Sequence, residues 1–162
     1  MKNAELFLIK EIFKQGMIRN FEKDGHLQPI IFFYMKDNPM IIPIPSHMLS
    51  SPENKHILAA TIKQYISNNP VLAAGIIIEA YGAIMDKDNE LSKLITSGDI
   101  TVSELKEKQD IIIMVFSSPE GDDVTAYLVD VKNKKVGEPF INGKEMEGFG
   151  GTFSGFFDWN KN

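Results

Sequence analysis

The chain contains no cysteine and only one arginine, Arg19. The first absence excludes a disulfide scaffold, a thiolate zinc site, a cysteine nucleophile and a redox dithiol. The second weighs against nucleic-acid recognition, because bidentate reading of phosphates and guanine edges relies on arginine. A formal net charge of −5 points the same way. Histidine is scarce too: His26, His47 and His56 do not share the spacing of a zinc motif. No long apolar run is present. The longest, 71–85, is broken by Glu79 and falls short of the ~20 residues that span a bilayer. Glu5 and Glu11 interrupt the apolar N-terminus, so it does not read as a signal peptide. These absences describe a soluble, cytoplasmic protein with no expected cofactor, metal, membrane or nucleic-acid partner.

Catalytic signatures are equally thin. The chain has neither G-x-S-x-G nor S-x-x-K. Gly148, Gly150 and Gly151 are not followed by the lysine and helix of a phosphate loop. Asp86, Asp88 and Glu90 alternate like the start of a calcium loop, but Leu91 and Ser97 occupy the positions that need glycine and glutamate.

What is present is ordinary globular material: 162 residues, 43% hydrophobic and 24% charged, enough for one domain with a true core. Residues 3–22 read as an amphipathic helix with Leu6, Ile9, Phe13 and Met17 on its buried stripe. Ile12 and Phe21 widen that stripe and Gly16 weakens the middle. Two apolar runs, 28–35 and 40–45, make a hairpin whose prolines suit an edge. A second helix starts at Ser50 with Glu53 as a capping box, or at Ser51 with Pro52 in the first turn, and closes at 68–70. Strands follow at 71–85, 110–117 and 124–131, with a loop over 118–123. A short helix lies near 90–95, and 136–141 is a candidate short strand outside this count. The expected fold class is α+β: an antiparallel sheet of about five strands with two main helices, in the order α-β-β-α-β-β-β. The domain runs over 1–145. Residues 146–162 form a Gly/Phe-rich C-terminal tail that either docks on the body or serves as an adhesive segment.

The start Asp24-Gly25-His26-Leu27-Gln28-Pro29 and the strand Ile78-Glu79-Ala80-Tyr81 resemble a group of small prokaryotic and phage-borne α+β proteins without assigned activity. That group shows a D-G-x-x-x-P strand start and an E-A-W strand. Tyr81 replaces its tryptophan, and Lys108 and Asp110 stand at its basic-x-acidic step. The resemblance covers residues 3–131 and implies the order of elements, without a reaction.

Three functions remain. The leading one is a non-enzymatic protein-interaction role, using an acidic surface at Asp122 and Asp123 or the aromatic tail, with Phe149, Phe153, Phe156, Phe157 and Trp159 as anchors. The second is a small hydrolase. Glu79 interrupts an apolar strand, so it either pairs with Lys108, faces outward, or acts as a general base. Tyr81 shares its face two residues on, and His26 is a further catalytic candidate. The third is self-association through the tail or the proline-bearing edge, giving a homo-oligomer. Charge is uneven between the halves. Residues 1–69 carry eight basic and six acidic groups, a balance of +2, whereas 70–162 carry nine and sixteen, a balance of −7. The acidic half suggests a basic partner.

Overall fold

The computed structural model describes residues 3–36, 39–82, 90–97, 99 and 109–143. Its elements are helix α1 (Asn3–Asp24), strands β1 (Ile30–Tyr34) and β2 (Met40–Pro43), helix α2 (Pro52–Asn68), strand β3 (Ala73–Gly82), helix α3 (Glu90–Ser97), and strands β4 (Gln109–Ser118), β5 (Gly121–Asp130) and β6 (Lys135–Gly143). A 3-10 turn, Ser46–Leu49, joins β2 to α2. All six strands form one antiparallel sheet in the order β2-β1-β3-β4-β5-β6. The α+β class therefore holds, with two corrections. The sheet has six strands rather than about five, and the order gains α3 as well as β6. The sixth strand is easily undercounted because Pro139 and a register shift around Tyr127 break its alternation.

Local chemistry sets these boundaries. Ser51 is the cap of α2: its Oγ accepts from the Asn54 N–H at 3.1 Å, and Pro52 follows in the first turn. Ser50 instead donates to the His47 carbonyl at 2.7 Å. The β4–β5 connection is a tight turn rather than a six-residue loop, since Ser118 pairs with Gly121. Asp122 and Asp123 read as loop residues, yet they sit in β5 because other side chains take up their carboxylates. Ser117 Oγ donates to Asp122, and Lys10 pairs with Asp123.

The sheet lies between the two long helices. Alternation along each strand sends one set of side chains to each side. On one face Leu58, Ile62 and Ile66 of α2, spaced one turn apart, pack on Ile31, Phe33, Ile76 and Val115. On the other face Ile9, Met17 and Phe21 of α1 pack on Phe32, Ile77, Met114 and Phe116. The Phe13 ring stacks on Phe32 with centroids 3.8 Å apart. Gly75 makes that stack possible: a Cβ there would enter the Phe32 ring and approach the Val115 carbonyl to 2.7 Å. Ile12 is not part of this stripe and is 61% exposed. At about 100° per residue it lies some 120° from the middle of the buried stripe.

Candidate functional site

The side of α1 that faces β2 leaves a gap. There the helix and the sheet margin enclose a cleft of about 390 Å³. Its apolar walls are Phe13, Met17, Ile30, Ile41 and Ile77, and its rim carries Asn20, Asp24, His26 and Gln28. The cause is visible in the connectivity. On the α2 face the β2 margin is plugged by Ile44, Met48 and Leu49, which follow the strand and pack into the core. On the α1 face no described segment crosses that margin, and Ile41 stays 58% exposed.

Gly16 sits in the wall of this cleft. A Cβ built there meets nothing within 4 Å. Mid-helix glycine costs about 1 kcal/mol relative to alanine, and no packing contact among the described residues requires it. One turn before it are the exposed side chains Ile12 and, a further turn back, Leu8. Residues four apart stack along a helix, so Leu8, Ile12 and Gly16 form one row that leads into the cleft.

The sheet edge beside the cleft is poor at pairing. The Ile44 N–H donates to the Pro29 carbonyl at 2.8 Å, and with the register this sets the alternation of the ladder. Backbone groups of Met40 and Ile42 turn to β1, and those of Ile41 and Pro43 turn outward. Pro43 has no N–H, so Ile41 supplies the only outward N–H of β2. At the far edge Pro139, exposed Lys135 and Glu138, and the register shifts guard β6 in the same manner.

The three catalytic candidates are only partly united. His26 lies on the cleft rim. Glu79 is exposed although β3 is central, in keeping with the outward-facing alternative, and its Oε1 accepts from the Leu27 N–H. Leu27 lines the cleft, which places Glu79 at its end, where the carboxylate ties β3 to the start of β1. Tyr81 belongs to β3 opposite Asp110, but its side chain lies outside the described residues, as does Lys108. Among the described residues no three His, Asp or Glu side chains converge as metal ligands.

The partner-binding candidates separate likewise. Asp122 and Asp123 are half-buried and engaged internally. They lie on the far side of α1, near a smaller hollow of about 190 Å³ that Phe7, Lys10 and Phe116 also line. The Lys10 ammonium lies 5.8 Å from the Phe116 ring centre. Phe149, Phe153, Phe156, Phe157 and Trp159, with the whole tail 146–162, lie outside the described residues. No helix among the described residues is long and apolar enough to cross a membrane.

Sequence reasoning missed the cleft and the Leu8–Ile12–Gly16 row. The signal was a helix with apolar residues beyond its buried stripe and a glycine at its centre. No family model, curated protein or solved structure matches the chain.

Proposed function

We propose that the protein is a non-enzymatic binding protein and that its protein partner inserts apolar side chains into the cleft between α1 and the β2 margin. The observation that carries this reading is Gly16: a mid-helix glycine beside open space, in the wall of an apolar cleft. No packing contact among the described residues needs the vacancy, whereas a docked partner does. The exposed row of Leu8 and Ile12 extends the apolar surface beyond what a small ligand would cover. A hydrolase centred on Glu79 has less support, since that carboxylate is exposed and already holds the Leu27 N–H.

The test uses two positions of matched exposure. Ile12 on α1 is 61% exposed and Ile57 on α2 is 57% exposed. A photo-crosslinking p-benzoylphenylalanine is placed at one or the other in the full chain and irradiated in cells of the native host. Adducts from position 12 and none from position 57 are expected. Equal adducts from both, or adducts from 57 alone, would remove the cleft from the account.

A further inference from the structure

Beyond the cleft itself, the flank of α1 specifies what kind of partner element fits. At about 100° per residue, Leu8, Ile12, Arg19 and Lys23 fall within about 60° of one another around the helix. The strip is apolar in its first half and basic in its second. All four residues are exposed. Arg19 and Lys23 make no ion pair or hydrogen bond within the described residues. Glu22 sits about 60° from Arg19, on the side turned away from the cleft. In the acidic half of the chain, Asp123 is tied to Lys10 and Asp122 to Ser117, on the far side of α1 from this strip. Along the strip from Leu8 to Lys23 both charges are thus basic although the net charge is negative; the one acidic residue of the cleft rim, Asp24, lies about 100° around the helix from Lys23.

We infer that the partner element is an acidic amphipathic helix lying along this flank of α1, with apolar side chains over Leu8, Ile12 and the Gly16 vacancy and carboxylates against Arg19 and Lys23. The inference rests on the cleft being a docking site. Three arguments select the occupant. A strand extends the ladder at β2 poorly, because Pro43 removes one of the two outward N–H groups, whereas a helix satisfies its own backbone and asks only for side-chain contact. A second copy of this chain fits badly. Parallel α1 helices would oppose Arg19 and Lys23 to their own copies, and antiparallel ones would set Leu8 and Ile12 against those charges. Length is the third. Leu8 to Lys23 rises roughly 22 Å, so the partner helix needs about four turns.

The closing experiment sequences the peptide joined to p-benzoylphenylalanine at position 12, in the parent chain and in an Arg19→Glu/Lys23→Glu background. Both substituted residues are exposed, and an unchanged melting temperature confirms the fold. The expected peptide comes from another protein, is net acidic, and has apolar residues at i, i+3 or i+4, and i+7. Its yield should fall ~10-fold or more on charge reversal, since like charges across an interface cost several kcal/mol. A basic peptide, one without helical period, a peptide of this chain itself, or a yield indifferent to the reversal would overturn the acidic helix and leave the docking cleft standing. No adduct from position 12 and none from position 41 would overturn both.

Discussion

The two faces of the sheet come from the same strands and each meets one long helix, but they are finished differently. Toward α2 the layer is mainly aliphatic, with Phe33 against Tyr65, and the chain leaving β2 turns across that face and lays Ile44, Met48 and Leu49 over it. Toward α1 the layer is aromatic, with Phe13, Phe32 and Phe116 in contact, and it carries a buried tyrosine and the Lys10–Asp123 pair. Its β2 margin stays open as the cleft. Beside that margin lie Gly16, with no atom within 4 Å of a Cβ built there, and the exposed Ile41. The difference shows how one connection, placed on one side of a hairpin, leaves the opposite side open.

Neighbouring residues of β3 break the comparison most sharply. Ile76 points to the sealed face and Ile77 to the cleft, and both are almost fully buried. Ile76→Ala should cost about 4 kcal/mol in urea unfolding and Ile77→Ala about 2, because a void at the cleft wall opens to solvent and can relax while a sealed one cannot. Equal losses would mean that the faces are equally closed.

Next in size is the charge pair that only the α1 face carries. Each of its side chains is about one quarter exposed. The second Asp123 oxygen, Oδ1, is buried without a hydrogen-bond partner. Lys10→Met leaves that carboxylate with no counter-charge and should cost about 1.5 kcal/mol. Thermal unfolding checks it, and high salt should shrink the difference. Gly16→Ala acts in the opposite direction. With no contact to violate, it should stabilise by about 0.8 kcal/mol.

The smallest effect at neutral pH concerns Tyr127. Burial, and then the nearby Glu11 carboxylate, raise its hydroxyl above the ordinary 10.0. The folded state thus holds the proton more tightly than the unfolded chain. Stability from this residue is complete below pH 10 and declines as the pH climbs through the raised value. Tyr127→Phe should flatten that alkaline decline in a pH series of unfolding curves and change little at pH 7.

Most of the fold was legible because local chemistry decided it. The serine–proline start of α2, the apolar runs of β1, β3 and β4, and the prolines at the hairpin edge each act within a few residues. What failed depended on distant groups. Asp122 and Asp123 could not be recognised as strand residues without Ser117 and Lys10 beside them, and β6 was undercounted because a proline and a register shift hide its period. Ile12 looked like core since its spacing sits near the stripe; only the placement of the helix on the sheet turned it outward. The site was less legible still. His26 and Glu79 were singled out and do lie at one end of the cleft, but the cleft exists only because α1 stops short of β2, which no motif encodes. Gly16 was read as a weakness of the helix, and its meaning depends on the empty space beside it.

The account stands or falls on that vacancy. Gly16→Leu places a side chain into the cleft wall where a Cβ meets nothing within 4 Å, so the fold should tolerate it. The direct measurement is the yield of partner adduct from p-benzoylphenylalanine at position 12 in the Gly16→Leu chain, alongside its melting temperature. The account predicts an equal or higher melting temperature with adduct lost. Adduct formed at the parental yield by the stably folded variant would contradict it.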